Sequence, residues 1–453
     1  MSSSRYLQWI VMLLIGLCGV SLGLPSACGQ DEFPLKDGDT WVMIGDSITA
    51  QHLHSNYLEA FCYARFPKWT FHFRNSGVGG DTIPDALARF DWDVAAWKPT
   101  VVSVELGMND HRWPLPVRGN YITNMGLLTD RIVHIGARPV FFSSSPINDG
   151  VATTSAAGSA MPLIQFSTDL RAFAAAHNAP FADQFNALVN IWADNRPIEK
   201  AYHLAVDVRN LLSFTNDIPG REYLVQWLQA WEKCAIRRHG ADLSSPNGNP
   251  VHPGPPGQIT MCAALLRGLK APGLVSRATL DATGKIGELV QCQVSNAVVE
   301  PGGGLSFDRL DDCLPMPIPD NAFGALIVYP AIADCSQWML TIAGLKAGRY
   351  QVSLDGTVVA TVTADELAKG WNMGTLEQGA VAKQGQEILL RVANKEHLVS
   401  QWRQQSAALA KTPGEKSLQA AMDNLNAQIL AADAKIREAA QPKRHHFVVT
   451  PHE

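Results

Sequence analysis

The feature that most constrains the fold of this chain is a regular alternation of short apolar runs with longer amphipathic segments between residues 37 and 272. The apolar runs have the length of strands, and the segments between them carry apolar residues at helical spacing. Strands that are joined by helices pair in parallel, because a parallel neighbour requires a long crossover connection. The sequence therefore predicts a parallel sheet with strands at residues 41–45, 69–74, 100–106, 138–143 and 180–183. The predicted helices lie at residues 55–65, 84–97, 120–136, 163–177 and 259–269.

A serine follows the first apolar run directly. Residues 41–45 lead into Asp46, Ser47 and Ile48, so Ser47 is expected on a tight turn at the end of a buried strand. A serine hydroxyl attacks an acyl carbonyl when it is exposed close to a base and to oxyanion donors. Taken alone, Gly-Asp-Ser is also typical of an ordinary turn or of a helix N-cap. The interpretation of Ser47 as a nucleophile therefore depends on the other motifs.

Three further motifs occur in the order that a serine hydrolase needs. A glycine-rich segment with Gly80 follows an aromatic, strand-like run, and its backbone NH groups are open to a ligand. Asn109 follows the next apolar run and has a side-chain NH to donate to an oxyanion. His252 stands just before a helix-like run and is a candidate general base. Each motif alone is typical of a turn, a cap or a loop, but their joint order favours a catalytic site.

With these four residues the chain resembles the GDSL or SGNH hydrolases, which carry a Ser, a Gly, an Asn and a His in four separated blocks. The matching blocks are Ser47 in GDSI, Gly80 in GGDT, Asn109 in GMND and His252 in VHP, and the resemblance spans residues 37 to 270. It implies a flavodoxin-like, three-layer α/β/α sandwich with the active site at the carboxyl ends of the parallel strands.

The resemblance also implies a role for each residue. Ser47 is then the nucleophile and His252 the general base. The oxyanion hole consists of the backbone NH groups of Ser47 and Gly80 together with the side-chain amide of Asn109. The reaction runs through an acyl-enzyme that water hydrolyses, and it uses no cofactor and no metal ion.

One position departs from the family pattern. The family usually has Asp three residues before the catalytic His, whereas this chain has Asn249 there. An Asp in that position stabilises the imidazolium, and replacing its counterpart by Asn in a serine protease costs about 10⁴ in rate. Three alternatives remain: a Ser-His dyad oriented by the neutral Asn249, a carboxylate supplied from elsewhere such as Asp242, or a domain that binds acylated glycans without turnover.

The function that these motifs indicate is that of an exported serine esterase acting on an O-acyl group, in particular an O-acetyl group on a carbohydrate. The carbohydrate part rests on export, on the β region that follows the hydrolase-like region and on analogy with the family. One alternative is a lipid-directed esterase or lysophospholipase. Another is a catalytically weakened SGNH scaffold that acts as a glycan-binding or cell-envelope protein, which Asn249 supports.

The first 29 residues have the pattern of a signal peptide. Arg5 supplies the positive start, residues 9–24 the apolar core and residues 27–29 a small-residue cleavage site. The core is too short and too rich in glycine to favour a permanent membrane anchor. Lipoprotein anchoring at Cys28 is disfavoured because Pro25 stands where an aliphatic residue is usual. We therefore expect a periplasmic or extracellular protein.

Removal of the signal leaves six cysteines, at positions 62, 234, 262, 292, 313 and 335. An exported protein can keep disulfides, although the pairing does not follow from the sequence. The cluster of Cys292, Cys313 and Cys335 favours a bridge between two of them. Cys62 and Cys262 lie in helix-like segments and are expected as buried free thiols. The cysteine spacing contains no C-x-x-C pair and no metal-ligand pattern.

The rest of the chain divides into three further parts. Residues 185–240, rich in Trp and Tyr, are predicted as a helical insertion that forms either a lid or ordinary helix packing. Residues 280–395 show short alternating runs and are predicted as an antiparallel β-sandwich, with a hairpin at Asp355-Gly356. Residues 397–453 are predicted as amphipathic helices that end in a solvated basic tail.

Two sets of side chains are interpreted from their position alone. Trp338, Tyr350 and Trp371 are candidates for stacking on sugars, with core packing as the alternative. His52 and His54 are interpreted as substrate-side or surface residues rather than metal ligands, because a spacing of two points them to different faces of a helix.

The composition is that of an ordinary soluble globular protein, with 46% hydrophobic residues, 17% charged residues and a formal net charge of -5. A mildly acidic chain without long basic runs argues against nucleic acid as a partner. Beyond the signal, no segment of the sequence is long and apolar enough to predict a membrane span. The partner that the sequence predicts is therefore a small-molecule or glycan ester.

Overall fold

The computed structural model describes residues 32–112, 117–147, 161–233 and 251–452. The predicted signal segment, Cys234, Asp242 and Asn249 lie outside the described residues.

Within these residues, five parallel strands form the sheet that the sequence predicts. They are β1 (Thr40–Gly45), β2 (His72–Gly77), β3 (Val101–Glu105), β4 (Arg138–Phe142) and β5 (Phe181–Ala182). Their order across the sheet is β2-β1-β3-β4-β5, which is the flavodoxin-like order. Because β2 and β3 lie on opposite sides of β1, a crevice opens at the carboxyl ends of β1 and β3, where ligands bind in such sheets. Ser47 follows β1 at this point.

Helices cover both faces of the sheet. They are α1 (Ser47–Ala50), α2 (His54–Arg65), α3 (Ile83–Asp93), α4 (Val117–His134), α5 (Met161–Ala176), α6 (Gln184–Phe214), α7 (Arg221–Lys233) and α8 (Pro255–Gly268). Alternate residues of β1 belong to two separate apolar clusters: Trp41 and Met43 pack with α2 and α8, whereas Val42 and Ile44 pack with α3 and α4. Since successive strand residues point to opposite faces, the predicted three-layer α/β/α sandwich is confirmed.

Strand β2 lies three residues later than predicted, at His72–Gly77 instead of 69–74. Asn75 and Ser76, which lie beyond the predicted strand, are buried strand residues. Asn75 Nδ2 donates to the Thr49 carbonyl at 2.7 Å, and Ser76 Oγ donates to Asp93 at 2.7 Å. Polar side chains can be buried when they are hydrogen-bonded in this way. A prediction that looks for runs of apolar residues therefore misses the part of the strand that carries them.

A β-sandwich follows the hydrolase-like region. Its strands are β6 (Leu274–Asp281), β7 (Ile286–Val290), β8 (Cys292–Glu300), β9 (Gly304–Asp311), β10 (Gln337–Ala343), β11 (Arg349–Leu354), β12 (Thr357–Thr363), β13 (Trp371–Asn372) and β14 (Arg444–His452). One sheet has the order β13-β10-β6-β7 and the other the order β12-β11-β14-β9-β8. One apolar cluster holds residues of both sheets, as in a sandwich.

The sandwich is not purely antiparallel, because β6 and β10 pair in parallel. The chain between them contains α9 (Ala325–Val328) and is long enough for the crossover that parallel neighbours need. The predicted hairpin is present: Asp355 and Gly356, with φ of 49° and 78°, join β11 to β12.

The C-terminal part contains α10 (Ala364–Lys369) and two long helices, α11 (Ala380–Lys411) and α12 (Lys416–Ala439). Helix α11 therefore begins inside the range predicted as sandwich. The predicted tail, residues 443–446, is exposed except for His445, but it is not a free tail: Arg444–His452 form β14, which pairs with β9 and β11 in the middle of a sheet. Phe447 and Val449 of this strand fill the sandwich core, and buried His445 bonds to Asp355 at 2.7 Å. The basic residues at the start of β14 made the segment look solvated, although apolar residues alternate further along the strand.

The described cysteines are all free. A bridge among Cys292, Cys313 and Cys335 is therefore wrong, and the Cys313 thiol lies instead 3.4 Å from the Val275 carbonyl. Cys62 and Cys262 are buried free thiols, as predicted.

Two of the three aromatic residues considered for sugar stacking are core residues. Trp338 and Tyr350 are 1% and 3% exposed, and Trp338 Nε1 donates to Asp311 at 3.0 Å inside the sandwich. Trp371 is half-buried at the start of β13. Core packing is thus the correct interpretation of Trp338 and Tyr350, because a buried ring offers no face to a glycan.

Candidate active site

Ser47 and His252 meet at the carboxyl end of β1. Ser47 Oγ lies 2.8 Å from His252 Nε2, although 205 positions separate the two residues in the chain. Both side chains are half-buried, so the hydroxyl is open to a substrate. At this distance an imidazole nitrogen accepts the proton of a serine hydroxyl.

The turn that carries Ser47 is held tightly by its neighbours. Asp46 Oδ1 accepts the NH of Ile48 at 2.9 Å and caps α1. A Cβ atom on Gly77, at the end of β2, would lie 2.4 Å from the backbone nitrogen of Ala50. Since the chain ends of β1 and β2 pack directly on α1, only glycine fits at this position.

The glycine loop and Asn109 lie beside this turn. A Cβ atom on Gly79 would lie 4.0 Å from Ser47 Cβ, so the loop that contains Gly80 borders Ser47. Gly80 has a φ of +86° and is exposed. Asn109 Nδ2 donates to the Asp81 carbonyl at 3.0 Å, which ties Asn109 to the same loop. The amide nitrogen carries a second hydrogen, the donor that an oxyanion needs.

Two buried carboxyl groups lie close to the site. Burial and the nearby Glu105 raise the pKa of Asp46 to about 7. Burial also raises the pKa of Asp110 to about 6, although the NH of Ile83 donates to Asp110 at 3.1 Å and opposes the shift. The Asp46 carboxyl group therefore carries less negative charge near neutral pH, which limits its repulsion of a developing oxyanion.

His54 is placed differently from the prediction. It is 2% exposed and lies beneath the turn rather than at the surface. Its Nε2 lies 2.8 Å from Glu105 Oε2 and its Nδ1 lies 2.6 Å from Gln258 Oε1. Sequence reasoning missed Glu105 and Gln258 as members of the site. The available signal was that each interrupts an apolar run, at the end of β3 and inside α8 respectively.

His52 lies between the site and the C-terminal helix α11. Its φ is 55°, its Nδ1 lies 3.7 Å from Glu396, and its Nε2 lies 3.5 Å from Ser400 Oγ. Burial lowers the pKa of His52, although Glu396 opposes this effect. The loop that follows Ser47 therefore contacts α11 through a side chain that is neutral near pH 7.

Asn249 and Asp242, the two candidates for the residue that orients His252, lie outside the described residues. Among the residues that are described, no group of three or more His, Cys, Asp or Glu side chains is arranged to hold a metal ion. No helix in the described part of the chain is long and apolar enough to cross a membrane.

Residues 43–204 match the sequence model of the GDSL-like Lipase/Acylhydrolase family. This match includes Ser47, Gly80 and Asn109, and the strand order agrees with it. The chain therefore contains a hydrolase domain of the GDSL or SGNH type, which is a class of ester hydrolases. No curated protein matches the chain.

The chain is similar to several solved structures. A gut microbial diltiazem-metabolizing enzyme, BT4096, is 19% identical and has a TM-score of 0.69, and the alignment covers 93% of this chain and 100% of that one. Axe2, an acetylxylan esterase from Geobacillus stearothermophilus, is 18% identical with a TM-score of 0.36, covering 51% and 94% of the two chains. LAE5, an alpha/beta hydrolase from the metagenome of Lake Arreo, is 18% identical with a TM-score of 0.36, covering 52% and 97%.

Proposed function

We propose that this protein is an exported serine esterase that removes an O-acyl group, in particular an O-acetyl group, from a carbohydrate through a Ser47 acyl-enzyme. The observation that carries the proposal is the 2.8 Å contact between Ser47 Oγ and His252 Nε2, in a domain that matches an acylhydrolase family. A serine that serves only as a cap or turn residue does not need an imidazole within hydrogen-bond distance.

In this proposal the Ser47 proton passes to His252 Nε2 as Oγ attacks the ester carbonyl. The negative charge that develops on the carbonyl oxygen is stabilised by the backbone NH groups of Ser47 and Gly80 and by the second amide hydrogen of Asn109. His252 then returns the proton to the leaving alcohol, and water attacks the acyl-enzyme with His252 again as the base. Nothing else is consumed, since the reaction is a hydrolysis.

Export and the carbohydrate substrate rest on sequence features. The first 29 residues have the composition of a signal peptide, and the β-sandwich follows the hydrolase domain directly. The choice of a carbohydrate over a lipid is an analogy at the level of the family.

The test is hydrolysis of p-nitrophenyl esters of increasing acyl length by the mature protein, together with labelling by a serine-directed fluorophosphonate. We expect turnover that is highest on the acetyl ester, and labelling that Ser47→Ala abolishes. Ser213→Ala, which removes a surface hydroxyl bonded to the Asn210 carbonyl on α6, is the matched control and should leave both unchanged.

The same assay decides between this proposal and its alternatives. A preference for long acyl chains would identify a lipid-directed esterase. The native protein could instead show no Ser47-dependent turnover and no labelling, while Asn249→Asp gains turnover. This result would refute the proposed esterase activity and indicate a weakened scaffold that binds glycans. Acetylated xylo-oligosaccharides compared with their deacetylated forms then test the carbohydrate part, by acetate release and by binding.

A further inference from the structure

The side chain of Gln258 joins the two chain segments that carry Ser47 and His252. Gln258 is fully buried on the second turn of α8, six residues after His252. Its Oε1 accepts the backbone NH of His54 at 3.1 Å and faces His54 Nδ1 at 2.6 Å. Its Nε2 donates to Gln51 Oε1 at 2.8 Å. All three contacts are made to the segment that follows the Ser47 turn, so one amide connects the general base to the nucleophile.

The hydrogen bonds define the protonation state of His54. A backbone NH is a donor only, so the Gln258 atom that faces it is the carbonyl oxygen and not the amide nitrogen. The same oxygen faces His54 Nδ1, which must therefore carry a proton. His54 Nε2 faces the Glu105 carboxylate at 2.8 Å and is a donor there as well. Since both ring nitrogens donate, His54 is an imidazolium.

The charged and titratable groups around His54 agree with this assignment. They are Glu105 on β3, Asp46 in the Ser47 turn and His52 in the same loop, while α8 contributes the neutral Gln258. Burial lowers the pKa of His54, but Glu105, the hydrogen bonds to Glu105 and Gln258, and Asp46 outweigh it and raise the pKa overall. Glu105 Oε1 has no hydrogen-bond partner among the described residues, so the contact of Oε2 with His54 is the main compensation for this buried charge.

The network also reaches the oxyanion donors. Glu105 Oε2 accepts Thr49 Oγ1 at 3.0 Å, and the Thr49 carbonyl accepts Asn75 Nδ2 at 2.7 Å. Glu105 ends the strand that leads to Asn109, and Asn75 lies in the strand that leads to Gly80. Buried polar contacts beneath the site thus connect all four chain segments that carry the proposed catalytic groups.

We propose that the imidazolium of His54, held between Glu105 and Gln258, is a positioning residue that keeps the His252 imidazole within hydrogen-bond distance of Ser47. This inference rests on the proposed function for its kinetic consequences, but its geometry can be tested independently. A displacement of the base by about 1 Å can lower the rate of an enzyme about 100-fold while leaving its fold intact.

The breaking variant is Gln258→Leu, which keeps the volume of the side chain and removes all three contacts. We expect kcat for p-nitrophenyl acetate to fall at least about tenfold with KM within about twofold, because the base is displaced while the substrate pocket remains. In a crystal structure of this variant, the distance from Ser47 Oγ to His252 Nε2 should exceed 3.5 Å, the limit of a hydrogen bond.

Two further variants separate positioning from stability. Thr260→Val on the same helix removes a buried hydroxyl that bonds only to the Pro256 carbonyl, and should lower the melting temperature without changing kcat. Glu105→Gln lets a neutral His54 accept an NH at Nε2 while Nδ1 still donates to Gln258. We expect it to lower kcat, but by less than Gln258→Leu does, because the imidazolium and its contact with the Glu105 carboxylate are lost while the contact with Gln258 remains.

Nitrogen NMR of histidine-labelled wild-type protein tests the protonation state without any variant. Both ring nitrogens of His54 should be protonated at pH 7 in the wild type, and one of them should lose its proton in Glu105→Gln. A neutral His54 in the wild type would overturn the proposal. The proposal would also fail if Gln258→Leu kept kcat within twofold of the wild type and left the distance between Ser47 Oγ and His252 Nε2 unchanged. If the wild type itself shows no Ser47-dependent turnover, the proposed function fails, while the crystallographic distance and the NMR result still decide the positioning role.

Discussion

Lys395 on α11 lies in a buried cluster of charges between the C-terminal helices and the hydrolase domain. Its side chain is 0% exposed, and its Nζ lies 2.7 Å from Glu59 Oε1 on α2 and 2.9 Å from the Phe73 carbonyl on β2. It also contacts its neighbour Glu396, which accepts the NH of Asn75 at 3.2 Å. We predict that Lys395→Met destabilises the protein by about 3 to 5 kcal/mol, the cost of leaving a buried charge without its partner.

The structure identifies which charge is left uncompensated. Burial raises the pKa of Glu59 to about 8, although Lys395 opposes it, so Glu59 keeps its proton at pH 7 when Lys395 is removed. The remaining buried anion is then Glu396. Adding Glu396→Gln, which still accepts the NH of Asn75, should therefore recover at least about half of the lost stability, because replacing both partners of a buried pair is often nearly neutral.

The assay is guanidinium unfolding at pH 7 followed by tryptophan fluorescence. The matched control is Arg391→Met on the same helix, which breaks an exposed pair with Glu387 at 2.7 Å and should cost less than about 0.5 kcal/mol. A Lys395→Met variant within about 1 kcal/mol of the wild type, or a double variant no more stable than the single one, would refute the reasoning.

The remaining predictions concern the site and the turn beneath it. Asn109→Ala should lower kcat on p-nitrophenyl acetate about 100-fold or more with KM little changed, because an oxyanion donor acts mainly in the transition state. The raised pKa of Asp46, about 7, means that the folded protein holds a proton that the unfolded chain releases near pH 4. Stability should therefore fall between about pH 4 and 7, and Asp46→Asn should remove that fall in unfolding midpoints measured at pH 5 and pH 8. Gly77→Ala should reduce both stability and Ser47 labelling, because its Cβ would lie 2.4 Å from Ala50. Gly126→Ala should instead raise the unfolding midpoint of the protein, because an added Cβ would meet no atom within 4 Å and alanine favours the helix α4 more than glycine does.

The sheet could be predicted because it depends on a local pattern, whereas the pairing of Ser47 with His252 was expected only from the resemblance to the GDSL or SGNH hydrolases. Alternating apolar runs and amphipathic segments determine a parallel sheet, and the carboxyl ends of its strands meet at one edge. Short motifs at those ends are therefore neighbours in space, however far apart they are in the chain. Ser47, Gly80 and Asn109 follow such strands, whereas His252 precedes α8 and still lies with Nε2 2.8 Å from Ser47 Oγ, across 205 positions of the chain.

The errors share a different cause, which is the burial of polar side chains. The second strand was predicted to end before Asn75 and Ser76, His54 was predicted as a substrate-side or surface residue, and residues 443–446 were predicted as a solvated tail. Each of these residues or segments is buried wholly or in part because a specific partner satisfies its polar atoms, as Asp355 does for His445. Such partners come from distant parts of the chain, so the composition of the segment itself does not reveal them.

The C-terminal helices stabilise the hydrolase domain close to its proposed active site. Arg403 on α11 donates to the Gly77 carbonyl at 3.0 Å and pairs with Asp93 on α3. Gly77 packs on the turn that carries Ser47, so α11 supports that turn from the outside while Gln258 supports it from α8. Both ends of the α11–α12 pair lead into strands of the sandwich, β13 before it and β14 after it. The sandwich and its helices therefore belong structurally with the hydrolase domain, because the groups that hold the Ser47 turn extend well beyond residues 43–204, which match the family.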